Sequence, residues 1–411
     1  MQTSDHSSKQ SSFFYGWVIL AACLGINAVI HGIRYSFGVF FKSISGQFDL
    51  SRGATAGITS TYFILCALFG LWGGFLMDKY GARKVMLPMG IITGISLIAT
   101  SQATAGWQLY LTYSLLLAAG TGAVYSVLMT TAQRWFIGRR GTAIGIVSSG
   151  VGVGTLIMTP LSAWLIAQYG WRQTFFGMGI VLGLIMVVLA LFLKKEPTAS
   201  LQNRSTGGDI AEPEQTESFT LSQAMKTANY WLLATIWFCW SFSVLMVMTH
   251  LVPHLTDIGV KSTTAAFIGG LIGIISIAGR LGIGWISDRI GRRPSIILTV
   301  LLQAGALYLL AWSNQIWLFY VFAVVFAIGY GGLDPATLGS IGDIFGLRNL
   351  GKITGGLTFF FAVGAACGSA AGGLIYDATG SYFLAFLLTG VLMTAAAICA
   401  LFIKKRKLQH G

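Results

Sequence analysis

The stretch Gly74-Phe-Leu-Met-Asp78-Lys-Tyr-Gly81-Ala-Arg83 recurs later in the chain as Gly284-Trp-Ile-Ser-Asp288-Arg-Ile-Gly291-Arg-Arg293. In both copies two glycines, an Asp and an Arg stand at matching positions, and the copies are 210 residues apart. The same offset relates four more pairs of glycines: Gly141/Gly351, Gly145/Gly355, Gly154/Gly364 and Gly170/Gly380. A constant offset over this length indicates that the chain is a duplicated unit.

Long apolar stretches surround both copies of this motif. The chain has 411 residues, of which 55% are hydrophobic and only 9% are charged, whereas soluble domains are about 25% charged. A membrane span needs about 20 predominantly apolar residues. This rule predicts spans near 14–41, 53–77, 85–105, 107–133, 141–168, 173–193, 230–257, 263–287, 294–313, 316–343, 352–376 and 381–403. The predicted fold is an all-α integral membrane protein with 12 transmembrane helices in two pseudo-symmetric six-helix bundles.

The spans divide the chain into five predicted segments. Residues 1–13 form a cytoplasmic tail, 14–193 the first bundle and 229–403 the second bundle. The polar segment 194–228 is a cytoplasmic linker that ends in a short surface helix, and 404–411 is a basic cytoplasmic tail. Within the second bundle, Gly331-Gly332-Leu-Asp334-Pro335 predicts a break in the tenth span, because glycine and proline interrupt helices.

The net charge of +13 raises the question of nucleic-acid binding. With the predicted spans, 20 of the 26 Lys and Arg residues lie on the side of the two termini and only four on the other side. This asymmetry follows the positive-inside rule, so the basic excess encodes orientation. We therefore expect a protein of the plasma (inner) membrane with both termini cytoplasmic, whose macromolecular environment is the lipid bilayer and not a nucleic acid.

The repeated motif itself predicts a gate on the cytoplasmic side. In each copy an Asp ends one span, a glycine opens a tight turn and cations begin the next span. The Asp can accept hydrogen bonds from an Arg or from a helix N-terminus, and such a bond would hold one state closed. The gating residues predicted from this motif are Asp78, Arg83, Asp288 and Arg292. The alternative is a plain turn whose charges match the helix dipoles.

The repeated motif resembles the signature of the major facilitator superfamily. The segment from Trp135 to Gly154, the entry Tyr15-Gly16-Trp17 and the lead-in Phe219–Trp231 resemble the monocarboxylate porter and oxalate/formate exchanger branch. The resemblance implies a bacterial secondary transporter that works by alternating access. It implies symport of a short monocarboxylate, such as lactate or pyruvate, with a proton. Organic-anion exchange of the oxalate/formate type is the alternative.

Arg280 is the strongest candidate for binding the substrate. It lies inside the eighth predicted span, where a charge is costly unless it faces a cavity or a partner. The planar guanidinium matches a carboxylate, so we expect Arg280 to bind the substrate carboxylate, with Ser276 one turn earlier. The alternative is a structural ion pair with another span. Eukaryotic relatives carry an Asp where this chain has Ser276, so their proton-carrying carboxylate is missing at that position.

Arg34 is the second cation inside a predicted span. The Lys that the relatives carry in the first span aligns with Tyr35, next to Arg34. Arg34 can serve as an outer gate or attract the substrate, or its side chain can extend to the membrane surface. Oxalate exchangers of the resembled branch carry a further cation within the eleventh span, whereas this chain reads Thr358-Phe359-Phe360-Phe361 there, and the resemblance therefore favours a monoanion over a dianion.

Four acidic or imidazole groups are candidates for moving the proton. His250, His254 and Asp257 share a face of the seventh span if that helix is regular, and Pro253 argues against a metal site there. Asp334 is the rival carboxylate, because its depth is similar to that of Arg280. We expect proton coupling at Asp257 or Asp334 and gating at His250, with no metal and no cofactor.

The walls of the site should be aromatic, as befits a small organic acid. The candidates are Tyr35, Tyr62, Tyr125, Tyr330, Phe359, Phe360 and Tyr382. The alternative for each is a packing role. The chain shows no catalytic constellation, so we expect no enzyme. A membrane receptor or sensor on the same fold remains a distant alternative, and we expect no oligomer.

Overall fold

The computed structural model describes residues 15–136, 140–194, 219–346 and 350–404; within them, residues 71–75, 78, 140–142, 350 and 351 are described by their backbone only. The predicted tail 1–13, most of the linker 194–228 and nearly all of the tail 404–411 lie outside these residues. A short helix, Leu221–Met225, stands at the end of the linker, and the side chain of its N-cap Thr220 accepts a hydrogen bond from the backbone of Gln223.

The described residues form twelve helices. In chain order they are α1 Gly16–Phe48, α2 Arg52–Tyr80, α3 Ala82–Ser101, α4 Gly106–Trp135, α5 Arg140–Phe192, the short α6 Leu221–Met225, α7 Ala228–Asp257, α8 Ser262–Ile290, α9 Arg292–Trp312, α10 Ile316–Phe345, α11 Leu350–Thr379 and α12 Phe383–Leu401. Helix α4 contains a π-helical stretch, Tyr110–Leu116. All of these helices except α6 are long and apolar enough to cross a membrane.

Helix α5 crosses the membrane twice. It has 53 residues, about 80 Å at 1.5 Å per residue, against a hydrocarbon core of about 30 Å. Its helical dihedrals are interrupted at Gly170, where φ is 78°. Gly170 falls between the predicted spans 141–168 and 173–193, so the described residues contain twelve crossings and the predicted six plus six are confirmed.

The predicted break in the tenth span is wrong. Helix α10 runs without interruption through Gly331, Gly332 and Pro335. The two glycines instead allow a close approach of α8, because a side chain at Gly331 would collide with the carbonyl of Ser276 and one at Gly332 with Ile283. The need for small residues at this crossing explains the sequence better than a break does.

The duplication is visible in the packing as well as in the sequence. A side chain at Gly154 would collide with the carbonyl oxygen of Ala28, and one at Gly364 would collide with that of Phe238. Each residue of the second contact lies 210 positions after its counterpart in the first. Gly81 and Gly291 likewise share a positive φ, 80° and 96°, which favours glycine at both turns. The two six-span halves are therefore built by the same rules.

The two membrane faces differ in how the halves meet. We call the face with the chain ends and the two repeated turns the terminal side, and the face with residues 49–51 and 258–261 the far side. Towards the far side, side chains at Gly152 and Gly373 would collide with Gly273 and Arg52 of the opposite half. Gly145 lies on the same face of α5 as Gly152 but two turns nearer the terminal side, and Gly355 lies on the same face of α11 as Gly373 but five turns nearer. Side chains at Gly145 and Gly355 would meet nothing within 4 Å. The halves thus touch at the far side and stand apart at the terminal side.

Candidate functional site

Arg280 lies at mid-depth in α8 without an acidic partner. Its Nη1 donates a hydrogen bond of 3.2 Å to the carbonyl of Ser148 in the opposite half, and its Cζ lies 5.5 Å from the ring centre of Tyr330. The Nε is buried and has no hydrogen-bond partner. Among the described residues, no carboxylate oxygen lies within 4.0 Å of the guanidinium. A cation with a free, desolvated donor is suited to an anionic ligand.

Four predicted site residues surround this guanidinium. Tyr35, Tyr125, Tyr330 and Asp334 are its electrostatic neighbours. Tyr35 of α1 is 6% exposed and adjoins Tyr330 of α10, so the two halves meet beside Arg280. Tyr125 of α4 is 43% exposed, which leaves its ring accessible at the same place. The structure thus brings together the most important part of the predicted substrate site.

Asp334 is the carboxylate closest to this site. It lies on α10 one turn after Tyr330, and Arg280 and Tyr125 are among its electrostatic neighbours. It forms no ion pair within 4.0 Å with any residue that the structure describes. Arg280 and Asp334 therefore form no ion pair in this conformation, although each affects the other electrostatically.

Arg34 lies on α1 in the other half, and its side chain is held by Tyr62 and does not extend to the membrane surface. Its Nε and Nη2 donate hydrogen bonds of 3.2 and 3.1 Å to the hydroxyl of Tyr62. The Tyr62 hydroxyl is in turn 2.8 Å from Thr121 Oγ1. The ring of Phe63 lies 5.1 Å from Arg34 Cζ. No carboxylate of the described residues pairs with Arg34, so a second uncompensated cation faces the middle of the membrane.

His31 lies near both arginines. Arg34 and Arg280 both act on its ring electrostatically, and its Nδ1 is 3.1 Å from the carbonyl oxygen of Asn27. The Asn27 side chain donates a hydrogen bond of 2.7 Å to Val147, while its Oδ1 is buried without a partner. His31 was not among the site residues predicted from the sequence. Its spacing of three residues from Arg34 on one helix was the signal that could have identified it.

Ser276, Phe359 and Phe360 are not gathered around Arg280. Ser276 is fully buried at the crossing with α10, and its hydroxyl donates to Gly273 of its own helix. Phe360 packs against Trp231, with ring centres 5.7 Å apart, and Phe359 is 58% exposed.

The aromatic wall beside Tyr330 is formed by residues that the sequence analysis did not select. The ring of Trp240 lies 6.3 Å from Tyr330 and 5.3 Å from Phe361, and Trp237 lies 6.0 Å from Trp240. The indole Nε1 groups of both tryptophans are buried without a hydrogen-bond partner. The available signal was the tryptophan pair at a spacing of three residues on α7.

Asp257 lies far from Arg280, in an ionic cluster at the far side. Lys42 Nζ lies 2.6 Å from its Oδ1. Arg52 binds it with two hydrogen bonds, 2.7 Å from Nη1 to Oδ2 and 3.0 Å from Nη2 to Oδ1. Lys42 and Arg52 belong to the first half and Asp257 to the second, so this cluster closes the far side. Lys42 and Arg52 are two of the four cations that the predicted spans leave on that face.

Tyr382 and His250 belong to the same cluster. The Tyr382 hydroxyl accepts a 2.7 Å hydrogen bond from Arg52 and lies 3.3 Å from His250 Nδ1. His250 Nε2 is 2.7 Å from the carbonyl of Ser369. Asp377 completes the closure, because its carboxylate accepts hydrogen bonds of 2.8 and 2.6 Å from the backbone of Arg52 and Gly53 at the start of α2.

The second repeated turn forms contacts within its own half. Arg292 lies 2.8 Å from Asp288 and 3.6 Å from Asp343 of α10, and it donates to the hydroxyl of Ser287. In the first copy Arg83 is exposed, and the Asp78 side chain lies outside the described residues. The described contacts of these turns thus do not join the two halves in this conformation, in which the terminal side is open.

Comparison with known proteins agrees with this architecture. The family model described as Major Facilitator Superfamily matches residues 20–307 and 256–410. The chain is 25% identical over 400 residues to monocarboxylate transporter 13 of Rattus norvegicus, covering 95% of this chain and 90% of the relative. It is 27% identical over 409 residues to monocarboxylate transporter 12 of Homo sapiens, covering 93% and 79%.

A solved structure has the same fold. A bacterial homologue of the human lysosomal transporter Spinster, in an inward-facing and occupied conformation, superposes with a TM-score of 0.78 at 17% identity, covering 95% of this chain and 97% of that one. With the family model matching nearly the whole chain, this protein belongs to the Major Facilitator Superfamily of membrane transporters.

Proposed function

We propose that this transporter moves a short monocarboxylate together with a proton, with its terminal side facing the cytoplasm of a plasma (inner) membrane. The observation that carries the proposal is the half-buried guanidinium of Arg280, whose buried Nε has no partner and which no described carboxylate neutralises. A substrate carboxylate would supply both the missing acceptor and the missing charge. The relatives named monocarboxylate transporters support the same class of substrate.

Asp334 is the better candidate for the proton carrier in this conformation. It shares the central site with Arg280 and has no ion-pair partner among the described residues. Asp257, in contrast, is held by two cations at the closed far side. A carboxyl group beside the substrate can couple proton transport to substrate transport, because the nearby charges, including that of the bound substrate, control whether it keeps its proton. We assign Asp257 to the far-side closure and Asp334 to coupling.

The conformation supports alternating access. The far side is closed by contacts between the halves, and the terminal side is open along the same helices. Rocking the two halves about the central site would close the terminal side and break the contacts at the far side. Arg280 would bind the anion in both states, because it lies near the pivot of this movement.

The test is uptake of labelled lactate into proteoliposomes, with and without a proton gradient, by the wild type, Arg280→Lys and Asp334→Asn. We expect gradient-driven accumulation by the wild type. Arg280→Lys retains the charge but loses the bidentate geometry, so its uptake should fall by about 10-fold or more. Asp334→Asn should exchange lactate but not accumulate it. Normal uptake by Arg280→Lys would refute the assignment of the site.

Exchange of organic anions is the second candidate, and Arg34 is the observation that favours it. Arg34 and Arg280 belong to opposite halves, and neither has an acidic partner among the described residues. Two such cations suit an anion with two acceptor groups, contrary to the sequence argument for a monoanion. Uptake that requires a preloaded anion and ignores pH would establish exchange, and Arg34→Gln would then impair transport of a dicarboxylate more than transport of lactate.

A further inference from the structure

The ionic cluster at the far side has the geometry of a carboxylate-binding site. The two terminal nitrogens of Arg52 bind both oxygens of Asp257, at 2.7 and 3.0 Å, and Lys42 binds Oδ1 at 2.6 Å. This bidentate arrangement with an added ammonium is how proteins recognise a free carboxylate. Here a carboxylate of the protein itself fills the site.

The two sides of this site belong to different halves. Lys42 and Arg52 are on α1 and α2, whereas Asp257 is on α7. The side chains are partly shielded, with exposed fractions of 39% for Lys42, 17% for Arg52 and 24% for Asp257. When the halves separate at the far side, Asp257 must withdraw, and the two cations stay together on the first half.

When the far side opens, Lys42 and Arg52 on the first half lose their negatively charged partner, Asp257. Arg52 also loses the Tyr382 hydroxyl and the ring of Tyr376, which lies 3.8 Å from its Cζ. The start of α2 loses Asp377, which accepts hydrogen bonds from two backbone N–H groups there. A helix N-terminus and two cations together attract an anion. The open state would therefore be stabilised by any carboxylate that replaces the two withdrawn side chains.

We propose that Lys42 and Arg52 form an entry site for the carboxylate substrate at the far side, and that Asp257 occupies this site when the far side is closed. The incoming anion replaces Asp257, so the substrate itself favours the open state that admits it. This inference rests on the proposed function, because it takes the substrate to be an organic carboxylate. It concerns a site separate from Arg280, because Lys42 and Arg52 lie at the far-side ends of α1 and α2 whereas Arg280 lies at mid-depth in α8.

Accessibility of Thr59 tests the proposal directly. Thr59 is buried at the far-side seam, where its hydroxyl contacts Ser369 of the opposite half. In a protein whose five native cysteines are replaced by alanine, Thr59→Cys should react with a membrane-impermeant maleimide only when the far side opens. We expect lactate, compared with chloride at equal ionic strength, to accelerate this labelling.

Lys42→Gln is the informative variant and Lys261→Gln its control. Lys261 is also an exposed far-side cation, but it forms no ion pair with a described residue. Removing Lys42 should raise, by about 3- to 10-fold, the lactate concentration that gives half-maximal acceleration of labelling, because one charge-assisted hydrogen bond to lactate is lost. Removing Lys261 should leave it unchanged. Arg52→Lys, which retains charge without the bidentate geometry, should resemble Lys42→Gln.

The outcomes separate this inference from the proposed function. If wild-type lactate uptake is intact but Lys42→Gln and Lys261→Gln require equal lactate concentrations, the entry site is refuted and the function stands. If the wild type neither takes up lactate nor shows accelerated labelling, both are refuted. Protein yield in the membrane, measured for each variant, identifies a folding defect, and Arg52→Lys then provides the deciding comparison.

Discussion

A single methyl group at Gly373 should prevent closure of the far side. A Cβ at this position would lie 2.7 Å from the carbonyl carbon of Arg52 and 2.8 Å from the Cα of Gly53. Both are backbone atoms of the opposite half, so no rotamer change can relieve the collision. Overpacking of this kind costs about 1–3 kcal/mol. The strain is absent when the halves separate, so Gly373→Ala should shift the equilibrium towards the open far side by a factor of about 5 to 150.

The labelling rate of Thr59→Cys measures this shift without a substrate. We expect the rate in Gly373→Ala to rise by the same factor, as long as the far side is mostly closed in the parent protein. Gly305→Ala is the matched control, because a Cβ there meets nothing within 4 Å and the gain in helix propensity is the same. Equal labelling rates in the two variants would show that the closed far side described here is not the resting state.

Three further variants or conditions test other parts of the structure. Gly154→Val should abolish accumulation of the folded protein in the membrane, because its clash with Ala28 lies within one half and persists in every transport state; a normal yield would contradict this packing. Tyr62→Phe removes the acceptor of both Arg34 hydrogen bonds, so the half-saturating substrate concentration should change by about 3-fold or more while the protein yield is maintained; unchanged kinetics would show that Arg34 does not reach the substrate. Substrate on the opposite side should accelerate uptake, because an empty Arg280 lacks a charge partner during the conformational change; equal return rates for the empty and the loaded transporter would rule this out.

The fold could be predicted because its signals are local and repeated. Apolar stretches of sufficient length, a constant offset of 210 residues and the turn glycines each follow from single positions in the sequence. Arg280 could be found for a similar reason, since a charged residue inside an apolar span is evident from the sequence whichever direction its side chain points. In the described structure Tyr35, Tyr125, Tyr330 and Asp334 act electrostatically on Arg280, and of these only Asp334 had been placed by its depth in a span.

The rest of the site depends on helix rotation and on pairing between distant residues. Three consecutive phenylalanines, 359–361, point in directions about 100° apart, and only the packing against α7 decides that Phe361 meets Trp240. The partners Arg52 and Asp257 are 205 residues apart and come from different halves. No spacing rule connects such a pair, so the sequence analysis treated Asp257 as a coupling candidate and gave Arg52 no role.

The two seams that close the far side differ in chemistry although the halves are related by duplication. The seam between α5 and α8 rests on small residues and backbone contacts, such as Gly152 against Gly273. The seam between α2 and α11 has polar bonds in addition, including Ser60 to the carbonyl of Ala366, at 2.7 Å, and the capping of α2 by Asp377. Van der Waals contacts between backbones tolerate sliding, whereas hydrogen bonds and ion pairs must break or exchange partners. The energetic barrier to opening should therefore be concentrated at α2 and α11 and at the neighbouring cluster of Asp257, which is where an incoming carboxylate can lower it.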